Sequence, residues 1–212
     1  MKRIKKVQTK DYIADILKDY IILGKFAPGQ EIYQEELTEV LGLSRTPIRE
    51  ALQSLEQDGF LERMPNRHMR VIPLTKDNIF MNFKLVGKLI TETANIIIEN
   101  NIDIRKLTNV YNEYELAVEK GDKELADEKE LEFLYKIPEI TSNQYIIQIC
   151  SKLLRGFPNF AILKVDSVIG ENKELIDNIY ININIKDHES MNSAADKYFE
   201  NMAIKVAKIL NQ

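Results

Sequence analysis

Arg45 and Arg49 stand four residues apart, with Ser44 just before them and Thr46 and Pro47 between. On a helix that spacing puts two guanidinium groups on one face, one turn apart. A guanidinium is a rigid fork of donors that fits paired acceptors, above all the O6 and N7 edge of guanine in the major groove. The hydroxyls of Ser44 and Thr46, with the free amides of a helix start, suit phosphate oxygens. The helix dipole disfavours arginine at an N-terminus. An ordinary solvated face therefore leaves the placement of two arginines there without a reason. Glu50 is expected to be buried or paired with an arginine, since a free carboxylate would repel a phosphate.

These side chains need a helix whose start is held by its neighbours. Gly42 permits the positive φ of a sharp turn, Ser44 is placed to cap the next helix, and Pro47 falls in its first turn, where the missing N–H costs nothing. Ile48, Ala51, Leu52 and Leu55 form the buried stripe, and Gly59 stops the helix. Upstream, Ile13, Ile16, Leu17, Tyr20 and Ile21 define a helix over roughly 10–24, ended by Gly24 and Pro28-Gly29. Its Asp11, Asp15 and Asp19 read as a solvated face. A short helix at 35–41 turns Leu37, Val40 and Leu41 inward. Downstream, 60–64 and 69–72 read as two strands around Pro65-Asn66-Arg67-His68. A helix-turn-helix followed by a β-hairpin is a winged helix. Pro73 closes it, and 75–77 reads as a linker.

Beyond residue 76 the apolar spacing is helical. Leu85, Leu89, Thr93 and Ile96 mark one face, and Leu107, Val110, Tyr111, Tyr114 and Leu116 a second helix. A third runs over 125–137 and a fourth over 145–154, interrupted by Gly156 and Pro158. Met191, Ala195, Tyr198, Met202, Val206 and Ile209 make a stripe along the last segment. The fold class expected is mainly α: a winged helix-turn-helix domain over 1–75, then an all-helical bundle of five to seven helices over 76–212.

Charge agrees with that division. Residues 1–76 hold 13 Lys and Arg against 11 Asp and Glu, while the remainder holds 16 against 22. A mildly basic front and an acidic rear suit a chain that meets phosphate with one end. No apolar run approaches the ~18 residues that span a bilayer. The basic start at 2–6 is followed by polar and acidic residues rather than the apolar stretch of a signal peptide. A single cysteine, Cys150, allows no intrachain disulfide. It reads as a small buried residue, and a cytoplasmic location is expected.

The run Leu41-Gly42-Leu43-Ser44-Arg45-Thr46-Pro47-Ile48-Arg49-Glu50-Ala51-Leu52, with Glu35-x-Leu37, Leu55-Glu56, Asp58-Gly59 and the upstream Gly24-x-x-x-Pro28-Gly29, closely resembles the winged helix of GntR-type bacterial transcription regulators. The helical rear is similar to the FadR/FCD branch. The resemblance implies a homodimeric regulator, most often a repressor, bound to double-stranded operator DNA at an inverted repeat and modulated by a small-molecule effector in the rear domain. It assigns DNA contact to Ser44, Arg45, Thr46, Arg49 and the wing residues Arg67 and His68. The wing departs from the family pattern, in which glycine follows the arginine; His68 stands there and is expected to keep a left-handed backbone or reshape the tip.

The same resemblance implies a divalent metal in many rear domains, held by an Asp-x-x-Phe-His motif and two later histidines. The corresponding stretch here is Glu130-x-x-Phe133-Leu134, and a later Glu-His pair is replaced by Glu171-Asn172. Only His68 and His188 are present, so no three-histidine site forms within one chain. His188 reads as a solvated residue at a helix start. Glu130, Glu132 and Glu171 read as surface acids or an oxygen-rich site. Tyr111, Tyr114, Tyr135 and Tyr145 read as core or cavity lining. No cofactor and no metal are expected. An enzyme needs a nucleophile–base pair or metal constellation that the sequence lacks. A purely architectural winged helix leaves Arg45, Arg49, Arg63, Arg67 and Arg70 unexplained.

Overall fold

The computed structural model describes residues 9–210; the basic stretch at 2–6 lies outside them. The chain divides into two compact units, Met1–Thr75 and Lys76–Gln212. Among the described residues no helix is long and apolar enough to cross a membrane.

The front unit runs α1 (Thr9–Ile22), β1 (Glu31–Ile32), α2 (Gln34–Leu41), α3 (Arg45–Gln57), β2 (Leu61–Arg63) and β3 (Met69–Val71). The α3 stripe of Ile48, Ala51, Leu52 and Leu55 is almost fully buried, and α1 packs on it with Ile13, Leu17 and Ile21. Each large aliphatic side chain buried this way contributes about 1.5–3 kcal/mol. Lys18 is buried as well, 3.9 Å from Asp58 at the end of α3 and 3.6 Å from Asp15. Asp11 and Asp15 face solvent. Gly42 closes the α2–α3 turn at φ 63°. Val40, expected inward, is 81% exposed. The buried face of this two-turn helix is narrow, made of Leu37 with half-buried Thr38 and Leu41, and Val40 falls past its edge.

The three strands form an antiparallel sheet in the order β1-β3-β2, with Ile32 opposite Met69 and Leu61 opposite Val71. Those four side chains are buried, while Glu31, Arg70 and Glu62 line up across the other face, as strand alternation requires. Strand β1 has no counterpart in the sequence-based expectation.

The rear unit comprises α4 (Lys76–Glu99), α5 (Arg105–Glu119), α6 (Lys123–Ile140), α7 (Gln144–Leu154), α8 (Phe157–Leu163), α9 (Lys173–Ile185) and α10 (His188–Ile209). Helix α4 begins at Lys76, so the expected linker at 75–77 is already helical beyond Thr75. The stripe of α10 is buried from Met191 to Val206 and packs chiefly on α4 and α9. Gly87 of α4 lets the Phe199 ring of α10 close in; a Cβ there would meet it at 3.0–3.1 Å. The core face of α4 is Ile79, Phe83, Val86, Ile90, Ala94 and Ile97, not the face containing Leu85, which is 60% exposed. In α5, Ala117 rather than Leu116 completes the buried stripe. Asp122, Asn143 and Asp187 cap α6, α7 and α10 through side-chain oxygens.

Candidate nucleic-acid interface

Helix α3 starts at Arg45, which places Arg45 at its first position, Thr46 at the second and Pro47 at the third. Ser44 has the extended backbone of an N-cap, φ −70° and ψ 160°, but its hydroxyl makes no capping bond. The expected cap is therefore geometric only, on an exposed residue. Ser44, Arg45, Thr46 and Arg49 are all exposed around the first turn. Gln34 of α2 donates to the Arg45 carbonyl at 3.1 Å, tying the two helices at the turn. Glu50 is exposed and without an ion-pair partner among the described residues, contrary to expectation. It follows Arg49 by one residue, about 100° around the helix, so the two charges diverge.

Electrostatics separate the described arginines of the front unit into two groups. Arg63 is held by Glu56 through two hydrogen bonds, at 3.0 and 2.7 Å. This pairing keeps the Glu56 carboxyl below the usual carboxylate range. Arg70 is held by Glu62 at 2.7–2.8 Å. Arg45, Arg49 and Arg67 have no carboxylate partner among the described residues. The three arginines expected to meet DNA are the ones that the fold leaves uncompensated.

The wing is a tight turn. The Arg67 N–H donates to the Met64 carbonyl at 2.8 Å, and the Met64 N–H to the His68 carbonyl at 2.9 Å. Asn66 Oδ1 accepts from the His68 N–H at 3.1 Å. The left-handed residue is Arg67, φ 68°, and not His68, so of the two outcomes expected here the backbone shows the reshaped tip. Those bonds place the bulge one residue earlier, leaving His68 free to lead into β3. The His68 ring instead packs edge-on against Tyr33, centroids 4.8 Å apart, with Nδ1 3.7 Å from Glu31 Oε2. Tyr33 donates to that same Glu31 oxygen at 3.0 Å.

A left-handed non-glycine residue costs roughly 1–2 kcal/mol. Arg67→Gly is therefore expected to raise the melting temperature of the front unit while lowering DNA affinity about tenfold, or about 1.4 kcal/mol. Calorimetry and a binding titration on one preparation check this. If stability and affinity rise together, Arg67 does not contact DNA.

Between α3 and the wing lies a cleft of about 330 Å³ whose lining includes Arg49, Arg63, Arg67 and His68, together with Gln34, Glu35 and Asn66. It brings Arg49 together with both wing residues. Ser44, Arg45 and Thr46 do not line it. Glu31, Tyr33, Gln34 and Asn66 had no part in the expected site. Of these only Asn66 carries a local signal, the tendency of Asn to bond an amide two residues on.

In the rear unit the acids resolve differently from one another. Glu132 lies 2.8 Å from Lys129, and Glu171 lies 2.8 Å from Lys205. Glu130 is buried, and its Oε1 accepts from Asn172 Nδ2 at 3.0 Å and from the Tyr198 hydroxyl at 2.8 Å. Burial pushes its carboxyl above the usual range. His188 is not a free cap: Nδ1 lies 2.8 Å from Asn95 Oδ1, and Asp187 caps the helix. Tyr111 and Tyr114 are core, whereas Tyr145 is 74% exposed. Cys150 is buried beside Thr93, and burial raises its thiol.

Residues 9–71 match the family described as bacterial regulatory proteins, gntR family. YdhC, an HTH-type transcriptional regulator of Bacillus subtilis (strain 168), is 30% identical over 107 residues, 50% of this chain and 48% of YdhC. The chain thus spans about half the length of that relative. The Uxu operon regulator of Haemophilus influenzae is 27% identical over 96% of this chain and 80% of its own length. Among solved structures Lar, which controls expression of the Listeria monocytogenes agr system, matches with a TM-score of 0.67 at 18% identity, covering 95% of this chain and 97% of that one. That last likeness is one of fold. Both curated relatives carry the name of a regulator. The front unit thus matches the gntR family of bacterial regulatory proteins over residues 9–71, and the chain as a whole is similar in fold to Lar.

Proposed function

We propose that this protein is a sequence-specific DNA-binding transcription regulator. Residues 1–75 read the operator, and 76–212 carry dimerisation and effector response. The observation that carries the reading is the uncompensated set Arg45, Arg49 and Arg67, exposed on the start of α3 and on the wing while Arg63 and Arg70 are paired within the fold. Arg45 and Arg49 enter the major groove, Ser44 and Thr46 hold phosphates, and Arg67 reaches the adjacent minor groove with His68 at its base.

The active form is a homodimer on an inverted repeat, and repression is the sign that the family resemblance implies. Supporting a dimer, α4 leaves Phe80, Met81 and Leu85 at 39–60% exposure. The first two border a cleft of about 560 Å³ shared with α10. Supporting an effector, Tyr114 Oη and Asn172 Oδ1 are buried without hydrogen-bond partners among the described residues. A ligand there would act by changing the separation of the two recognition helices. Selecting bound fragments from the source genome tests the proposal: enrichment of fragments sharing one inverted repeat is expected, and enrichment without a common sequence overturns it.

A further inference from the structure

We infer that the rear unit is held by a metal-independent clamp, Glu130 with Asn172 and Tyr198, at the place where the FadR/FCD resemblance implies a divalent metal centre. The inference rests on that resemblance of the rear unit, not on DNA binding by the front one. The residues present do not fit an ion. Leu134, standing where the motif has histidine, is apolar and 1% exposed. Asn172 replaces another histidine with a neutral amide. His188 is engaged with Asn95. Among the described residues no three His, Cys, Asp or Glu converge on one point. One carboxyl, one amide and one phenol fall short of the three or four N, S or carboxylate donors of a zinc site. They fall further short of the six or more oxygens of a calcium site.

The geometry shows what the three groups do instead. Glu130 lies on α6, Asn172 directly precedes α9, and Tyr198 lies on α10. A single oxygen, Glu130 Oε1, receives both donors. Three helices are joined through that oxygen, with each participant less than a tenth exposed. Hydrogen bonds made in such surroundings are expensive to leave unmade. Among the described residues no cation is bonded to Glu130; the charge of Lys205 reaches it, but that ammonium lies 2.8 Å from Glu171. A carboxylate ligand entering here would meet Glu130 without the counter-charge that a metal would give. The buried acceptor Asn172 Oδ1 and the Tyr114 hydroxyl suit a ligand that donates hydrogen bonds.

The test is metal content by mass spectrometry together with melting temperature of the full chain. The melting scans add EDTA, or zinc, nickel or manganese, to wild type and to Glu130→Gln and Glu130→Leu. Glutamine keeps the oxygen that accepts both bonds, whereas leucine removes it. The expected result is far less than one metal per chain and no melting shift with EDTA or any of the three metals. Glu130→Gln is expected to melt within about 2 °C of wild type, and Glu130→Leu lower by roughly 4 °C or more. A stoichiometric ion lost in Glu130→Gln would overturn the inference, as would a metal-dependent melting rise in wild type. A metal-free Glu130→Gln as unstable as Glu130→Leu would overturn the clamp itself. DNA binding is not a readout here, so neither failure touches the proposed operator contacts.

Discussion

Replacing Arg45 and Arg49 together by alanine is expected to lower operator affinity at least about a hundredfold while leaving the fold intact. A well-placed arginine–guanine pair contributes about 1–3 kcal/mol of discrimination, so two such pairs exceed the ~2.8 kcal/mol that a hundredfold represents. Both side chains are exposed, and neither has a protein partner among the described residues. Their removal therefore stays within the ~0.5 kcal/mol typical of uninvolved surface positions. The loss should fall on specific sequence more than on random duplex, because phosphate contacts from the helix start persist. Comparing Kd for operator and unrelated DNA, with melting curves of both proteins, checks the two halves of the expectation.

Ile48→Ala is the complementary case, one residue away and opposite in mechanism. Ile48 is wholly buried in the stripe that α3 lays opposite its exposed arginines. Truncating a buried isoleucine costs about 2–5 kcal/mol through lost transfer energy and the cavity left behind. In a unit of this size that is roughly 10 °C or more of melting temperature. DNA binding should vanish with the fold on warming and return on cooling, whereas the arginine variant binds poorly at every temperature. Differential scanning calorimetry with binding measured at two temperatures separates the mechanisms. An Ile48→Ala front unit that melts like wild type would mean the side chain is not the support described.

The contrast between these two positions also explains what the sequence made legible. Gly42, Pro47 and Gly59 mark backbone demands that are local, and the Ile48–Leu55 stripe marks burial by period alone, so α3 and its neighbours could be placed in advance. Strand β1 is two residues long, too short for alternation to appear. In α4 apolar residues occur nearly all round the helix, with Phe80, Met81 and Leu85 exposed beside a buried Phe83 and Val86, so the core face depended on tertiary packing. Helix α9 ends in alternating Ile and Asn, and only Ile176, Ile179 and Ile183 keep the helical spacing inward. The apolar spacing alone therefore marks no helix there.

The site divides in the same way. Exposure of Arg45 and Arg49 follows from the stripe on the opposite side of α3. The silencing of Arg63 and Arg70 does not, because Glu56 and Glu62 lie seven and eight residues away and are brought in only when the chain turns through Gly59 and the hairpin. Placing His68 after Arg67 leaves two outcomes open, a left-handed His68 or a reshaped tip, and bonds from Arg67 and Met64 bring about the second, with Arg67 left-handed. Burial of Glu130 was equally hidden, since its partners Asn172 and Tyr198 come from 42 and 68 residues further on.

The central claim is that the start of α3 reads DNA through Arg45 and Arg49. It is tested most directly by fluorescence polarisation of the full chain on its own upstream duplex over a salt series, with unrelated duplex as competitor and the Arg45→Ala/Arg49→Ala variant alongside. The account predicts tight, competitor-resistant binding by the wild type, with log affinity falling linearly against log salt, and loss of that specificity with a shallower slope in the variant. Identical curves for the two proteins on a duplex that both bind specifically would contradict it.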